Sequence, residues 1–400
     1  MTNKPRVAPA FIVIFLTALL ISPRLLADGY RNAPEGARAI GAFGGHRAFA
    51  DDANATIHNS ANLVDLAQPM IQFNTTFGYA RTSFKNAAGS DRTENPFFAI
   101  PGFSAAVPFK EGKYAAGLSA YVPHGRSVDW GKNDYFAAIG APYCGSMTVA
   151  DLTPNFSMRL TDSLSVGVGL DLYHGEVEQE QFIAPGLLHS KLTADGQAVG
   201  WNTAVTWKMT EKQRLAATYR SPFKIKYEGD NELSGIINSK SDMEASIEYP
   251  TIVGLAYGIE LTDTLKAEIN GEWLEFSQYE TLNIKNPGGI GVVAVPQNLK
   301  DTWTAGAGLA WNFKPQWTLR SGYMYLRNPT PDDTYGTLGP DENQGVISFG
   351  LGYEIEHHAV DIGYAYGLFN GRNVSGSAGS PDGKYDYNVH LLSISYGYKF

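Results

Sequence analysis

The chain has one cysteine in 400 residues, and that shortage already narrows the reading. Cys144 has no partner for an internal disulfide, and a single thiol is no metal site. Positive charge is scarce as well. The 31 Lys and Arg against 40 Asp and Glu leave a net −9, which argues against a nucleic-acid partner and fits acidic loops. Past the N-terminal region no apolar run comes near the roughly 20 residues that a membrane helix needs. The mean hydropathy of −0.20 is likewise too polar for a helical membrane bundle.

Catalytic signatures are missing too. The eight His are scattered, and the adjacent His357-His358 pair lacks metal-ligand spacing. No Ser sits in a Gly-x-Ser-x-Gly turn. Gly167 and Gly169 lie in an alternating stretch with no helix after it, so they are not a phosphate loop. Neither enzymatic activity nor a cofactor or metal is expected.

What is present begins with an export signal over residues 1–27. Lys4 and Arg6 precede an apolar run from Ala8 to Ile21, and Ala27 offers a small residue for cleavage, so the mature chain would start near Asp28. An uncleaved anchor is the alternative. Residues 28–68 are rich in Gly, Ala, Asp and Asn and do not alternate. Asp51 and Asp52 suit a short helical cap and Asn59-Ser60 a turn. This segment is expected to be compact and not strand-like.

From residue 69 to the C-terminus, apolar and small residues alternate with period two. Leu164, Val166, Val168, Leu170 and Leu172 face one way, and Ser163, Ser165, Gly167, Gly169 and Asp171 the other. Leu215, Ala217 and Tyr219 repeat the scheme, with Phe223, Ile225 and Tyr227 read as its continuation after Ser221. The last stretch puts Leu392, Ile394, Tyr396, Tyr398 and Phe400 on one face and Ser393, Ser395, Gly397 and Lys399 on the other. A chain that ends on an outward aromatic suggests the closing strand of an outer-membrane barrel. Such a barrel needs apolar residues only at every second position, which reconciles 44% hydrophobic residues with the polar mean. Short turns (Thr161-Asp162, 209–212, 261–264, 313–316) contrast with expected long polar loops near 183–198, 229–243, 286–299, 328–343 and 370–386. The reading is an all-β transmembrane antiparallel barrel of about fourteen strands.

Four stretches give the chain a family resemblance. Gly45–Leu66 (GHRAFADDANATIHNSANLVDL), Leu215–Asp230 (LAATYRSPFKIKYEGD), Trp273–Ile284 (WLEFSQYETLNI) and Leu299–Tyr323 (LKDTWTAGAGLAWNFKPQWTLRSGY) resemble the FadL-type outer-membrane transporters of long-chain fatty acids and other hydrophobic compounds. The resemblance implies a barrel over 69–400 plugged by an N-terminal hatch over 28–68. It also implies capture of a fatty acid or hydrocarbon by extracellular loops and its release through a lateral opening. In the plug, Asp51, Asp52, Asn59 and Ala61 fall on the family's signature, whereas Ser60 stands where the family has Pro. The ending at Phe400 resembles the signal read by barrel-assembly machinery. Nothing suggests a trimer interface, so a monomer in contact with outer-membrane lipid is expected.

Two further features bear on transport. The expected third strand, Tyr114 to Trp130, contains Pro123, His124 and Gly125. Pro123 cannot donate to a ladder and Gly125 weakens a strand, so the trio marks either a bulge at a lateral opening or the end of the strand. Candidate partners for a fatty-acid carboxylate are Arg126, Arg220, Lys224 and Lys300, with Arg220 and Lys224 inward by alternation. Phe182, Ile183, Leu187 and Leu188 make a greasy stretch suited to a landing site or to loop packing. A diffusion porin and an adhesive surface barrel remain the competing functions.

Overall fold

The computed structural model describes residues 29–286 and 291–400, so the export signal and Asp28 lie outside the described residues. Within them, twenty strand segments join into a closed antiparallel barrel of fourteen spanning strands. These are β1 (Met70–Lys85), β2 (Phe97–Phe109), β3 (Tyr114–Asp129), β4 (Pro142–Thr161), β5 (Leu164–Ala184) and β6 (Leu188–Lys208). Four strands in two parts follow: β7 (Gln213–Arg220, Phe223–Gly235), β8 (Ser239–Tyr249, Thr251–Glu260), β9 (Leu265–Glu275, Thr281–Asn286) and β10 (Gly291–Pro296, Thr302–Lys314). The wall ends with β11 (Trp317–Leu326), β12 (Gln344–Ile355), β13 (His358–Phe369) and β14 (Gly383–Lys399).

Closure is made by β14 against β1, in register from Met70↔Lys399 to Lys85↔Lys384. Beyond it, the Phe400 amide donates to the Pro69 carbonyl at 3.0 Å. Alternation sets the two faces. Leu392, Ile394 and Tyr396 are exposed on the outside, while Ser393 and Ser395 are buried inside. An outer face bathed in hydrocarbon tolerates such side chains, and the closed ladder leaves no strand edge in lipid.

Short turns gather on one rim and long connections on the other, the periplasmic and extracellular rims of an outer-membrane barrel. Three expected loops prove to be strand. β5, β6, β7 and β8 run on as hairpins well past the belt, leaving only residues 185–187 and 236–238 as tips, and 291–296 is also strand. The polar residues there had suggested loop. They alternate with partners across the hairpin, such as Lys191 with Glu178 at 2.5 Å, which stabilises a two-stranded ribbon in water. Of the expected long loops, 328–343 and 370–382 run across the rim without long strands, as do 86–96 and 130–141.

β7 and β8 break at Ser221-Pro222 and Pro250, where proline removes a ladder donor. The break in β7 also resets its alternation. Arg220 points inward before it, and Phe223, Ile225 and Tyr227 point inward after it, so the expected continuity of Leu215, Tyr219 and Phe223 on one face does not hold. Lys224 is therefore turned outward, where it pairs with Glu248 at 2.8 Å, and is no lumen cation.

Residues 29–68 pack inside the barrel as short pieces: α1 (Ala37–Gly41), α2 (Ala55–His58) and a 3-10 turn (Ser60–Asp65). Small residues permit this approach. A methyl built on Gly350 of β12 would lie 2.9 Å from the Gly41 Cα, and one built on Gly322 of β11 would strike the Phe43 backbone at 2.5 Å. Gly350→Val should therefore loosen α1 at a cost of about 1–3 kcal/mol while the barrel still closes. Limited proteolysis of the folded protein would check this, with cleavage gained within 37–45 and none in the strands.

Candidate functional site

One gap in the ladder lies between β2 and β3, and others flank the breaks of β7 and β8. β2 pairs with β3 only from Phe103↔Ala120 to Phe109↔Tyr114, so Phe97–Gly102 and Tyr121–Asp129 face each other without ladder pairs. The Glu94 amide closes the upper end on the Asp129 carbonyl at 2.7 Å. The cause lies in β3, which keeps its register with β4 as far as Tyr121↔Asp151 and resumes at His124↔Val149. Val122 and Pro123 thus stand opposite Ala150 alone, a bulge that bends the strand. The strand does not end at Pro123, since it continues to Asp129.

The chain's own N-terminal segment fills the inner side of this gap. The Asn32 amide donates to the Pro123 carbonyl and the Gly125 amide to the Tyr30 carbonyl, both at 2.9 Å. Arg31 bridges His124, and the Asn32 Nδ2 donates to the Val122 carbonyl at 2.8 Å. Pro123 takes part only as an acceptor, the one role its backbone allows.

Charge holds this segment in place. Glu272 of β9 accepts from Arg31 Nη1 at 2.5 Å and Nη2 at 3.0 Å, and also from Arg47 Nη2. Arg47 Nη1 donates to the Thr218 hydroxyl at 2.6 Å. Deeper down, Arg38 pairs with Asp361 at 2.9 Å and Asp51 at 2.8 Å and lies 3.6 Å from Asp52. Asp65 takes Arg159, Lys208 and Arg214 from three strands, at 2.9, 2.7 and 3.3 Å.

The signature residues of the segment are internal fasteners. Asp52 is fully buried and its Oδ1 accepts the Asn54 amide at 3.1 Å just before α2. The nearby His46, the Arg38 guanidinium and a hydrogen bond from Gln72 hold its carboxyl below the usual range, against the opposing effect of burial. Asn59 Nδ2 donates to the Arg47 carbonyl at 3.1 Å and the Thr206 hydroxyl at 2.8 Å. Ser60 opens the 3-10 turn and its carbonyl accepts the Ser157 hydroxyl at 2.6 Å, with Ala61 fully buried beside it.

Level with the strand breaks, aromatic rings form a floor across the lumen. Tyr173 stacks on Phe223 at 3.7 Å and Phe223 on Tyr249 at 4.4 Å. Tyr30 stands edge-on to Tyr249 at 5.3 Å and to Phe276 at 5.2 Å. Above this floor is a mainly apolar cavity of about 180 Å³, walled by Met147, Val177, Leu192, Tyr227, Met243 and Ile284. Leu338, from the 328–343 connection, roofs it against Gly145. Below the floor lies a polar cavity of about 120 Å³ that includes Arg31, Arg47, His124, Arg220 and Glu272.

The candidate cations separate. Arg126 lines the apolar cavity, donates to the Gly29 carbonyl, and leaves its Nε without a partner. Beside it, burial pushes the Asp341 carboxyl up to about 6, although Arg126 and Arg372 pull it down. Arg220 lies in the polar cavity, tied to Asp151 at 2.9 Å and Asp171 at 2.8 Å. Lys300 lies between the two parts of β10 with an exposed side chain, away from both cavities. Phe182, Ile183, Leu187 and Leu188 sit at the β5–β6 tip. Phe182 stacks on Tyr143 at 5.7 Å, whereas Ile183 and Leu187 are exposed beside the equally exposed Ile236 and Ile237.

The sequence reading missed Glu272 and Tyr30, the two residues that fix the segment on the gap. The Trp273 stretch alternates, and its inward carboxylate was visible. Tyr30 lies in a segment without period, so nothing local marked it.

Glu272→Ala should leave the Arg31 and Arg47 guanidinium groups without their shared carboxylate. Loss of one partner of a buried pair costs about 3–5 kcal/mol, and here the segment on the gap bears it. Amide exchange at Asn32 and Gly125 would accelerate accordingly, while exchange in β12–β14 would not.

Comparisons with known proteins agree with this architecture. Residues 19–400 match the model of the outer membrane protein transport family described as OMPP1/FadL/TodX. The long-chain fatty acid transport protein of Escherichia coli O6:H1 is 23% identical over 95% of this chain and 96% of its own length. Outer membrane protein P1 of Haemophilus influenzae is 22% identical over 88% and 90%. Among solved structures, a Pseudomonas aeruginosa FadL homologue superposes with TM-score 0.84 at 18% identity, covering 93% of this chain and all of that one. The Pseudomonas putida toluene transporter TodX superposes with TM-score 0.77 at 16% identity, covering 93% and 100%. With a match over nearly its whole length, a closed fourteen-stranded wall and an apolar cavity above a filled lumen, this chain belongs to the OMPP1/FadL/TodX family of outer-membrane transport proteins.

Proposed function

We propose that the chain carries long-chain fatty acids or similar hydrophobic molecules across the outer membrane and releases them sideways through the gap between β2 and β3. The observation that carries this reading is that the opening between β2 and β3 is occupied by the chain's own residues 30–32. A strand edge at membrane depth needs partners, and this partner is a terminal segment that can leave. In this reading residues 29–68 act as the hatch.

The exposed tips at Ile183, Leu187, Ile236 and Ile237 are the first landing place, because exposed apolar clusters attract apolar ligands. The cavity under Leu338 is the holding site. Its volume of about 180 Å³ is below the roughly 300–1,000 Å³ of a drug-sized site. It therefore fits a compact hydrocarbon, or one end of a fatty acid whose entry displaces Leu338. Arg126, with its free Nε, is the partner for a carboxylate head. A steady diffusion pore is disfavoured because the lumen below is packed with side chains.

We infer further that Phe400 serves as the assembly signal and that a single chain is the working unit. Its exposed ring supports the first, and a barrel that closes on itself through β1 and β14 supports the second.

Uptake of a labelled long-chain fatty acid, with a toluene-type hydrocarbon in parallel, tests the proposal in cells that lack their own transporter. Expression should raise uptake of one or both. Deleting residues 29–66 should remove the discrimination and give a folded barrel that passes ions in planar bilayers. No uptake of either compound by an intact folded barrel would sink the reading, and steady ion conductance from that intact barrel would favour the porin.

A further inference from the structure

Glu35 is a buried acid that no cation answers. Only 6% of its surface is exposed, its Oε1 lacks a hydrogen-bond partner, and it joins no ion pair among the described residues. Its carboxyl lies flat on Gly102, the last residue of the gap before the β2–β3 ladder resumes at Phe103. Any side chain at 102 would strike it. Glu35 belongs to the same run of chain as Tyr30, Arg31 and Asn32, so its carboxyl and those backbone bonds dock together.

Its surroundings offer little compensation. β1 presents the neutral Asn74, opposite Gly102, and β2 presents Gly102 and Ser104. From its own segment His58 places Nε2 2.8 Å from the Glu35 main-chain oxygen, with His46 edge-on to His58 at 5.5 Å. His124 of β3, Arg31 and Arg47 line the same cavity, but both guanidinium groups are bound to Glu272. A carboxylate so placed has the Asn74 side chain as a hydrogen-bond partner but no counter-ion among the described residues, and the neutral acid is the form that burial favours.

We propose that Glu35 is a proton-held latch on the lateral gap: the segment docks with the Glu35 carboxyl protonated, and that proton passes to water when the segment leaves. The proposal rests on the gap being the exit. Glu35 is a positioning residue here and touches no substrate.

The sign follows from the two states. Burial raises the docked acid from 4.5 to about 8. The docked form then binds one more proton than the undocked form between those values, so docking is strongest below pH 4.5 and weakens as pH rises to about 8. His58 runs the other way, lowered from 6.5 to about 4 by burial. It is neutral in both states above about 6.5. Between pH 6.5 and 8, Glu35 is therefore the one of the two that still titrates.

The test is amide exchange on the full chain in lipid nanodiscs across that range, read at Asn32 and Gly125, with Glu35→Gln at each pH to cancel the intrinsic rate. Relative to Glu35→Gln, protection in the wild type should fall about tenfold per pH unit. Glu35→Leu, which also has no proton to lose, should track Glu35→Gln and serves if the Gln chain assembles poorly. Parallel wild-type and Gln curves would overturn the latch. The exit itself is judged by the uptake assay, so the two can fail separately. A latch that titrates in a protein without uptake keeps the proton and loses the exit, and uptake with flat exchange does the reverse.

Discussion

A strand edge that faces hydrocarbon has no water to pair its N–H and C=O groups, and the rest of this molecule can be understood from that constraint. The wall meets it by closing on itself, but β3 bulges at Val122 and Pro123 and leaves β2. There the missing partner is drawn from inside, as residues 30–32 lie along the strand and satisfy Pro123 and Gly125. The defect and the segment that repairs it are therefore one unit. Without the bulge the segment would have no backbone to bind, and without the segment the bulge would expose polar groups at membrane depth.

The way the segment is held differs along its length. Around Arg38, Asp52 and Asp65 it is tied by buried charge to several strands at once, and α1 meets β11 and β12 through glycines at contact distance. Close packing and multiple ion pairs make that region costly to move. Nearer the gap the segment is held by two backbone hydrogen bonds, by side-chain bonds from Asn32 to Val122, Tyr30 to Glu248 and Arg126 to Gly29, by the Glu272 clamp on Arg31, and by the edge-on contacts of Tyr30. In the proposed mechanism the body of the segment stays anchored while its first residues come away and open the gap.

Much of this architecture was legible in the chain. Period-two alternation, the aromatic ending and the rim asymmetry give a barrel because lipid acts on every second residue, and that signal survives in sequence. The bulge was marked by Pro123 and Gly125, whose backbone properties are local. Two things were not legible. The reset of alternation at Ser221-Pro222 moved Phe223, Ile225 and Tyr227 inside and Lys224 outside, since a proline break can add a residue without any local sign of how many. The long hairpins of β5 to β8 looked like loops because polar residues outnumber the few apolar ones, such as Leu192 and Met243, that turn inward to the cavity, and cross-strand pairs hold such a ribbon in register. Glu272 and Tyr30 are a third kind of miss. Their importance comes from partners more than two hundred residues away, so only the fold brings them together.

The aromatic floor explains why apolar and polar space are kept apart in one lumen. Tyr173, Phe223 and Tyr249 stack in a row, and Tyr30 completes it from the N-terminal side of the segment. A hydrophobic molecule above the floor gains nothing from the polar cavity below, where Arg31, Glu272 and Arg220 would have to be desolvated. Its easier way out is sideways, but that way runs beside Tyr30. When Tyr30 withdraws, the same displacement removes one wall of the apolar cavity and two backbone bonds from the β3 bulge. In the proposed mechanism the holding site and the exit thus share one residue, so that emptying the first and opening the second would be a single movement of the segment.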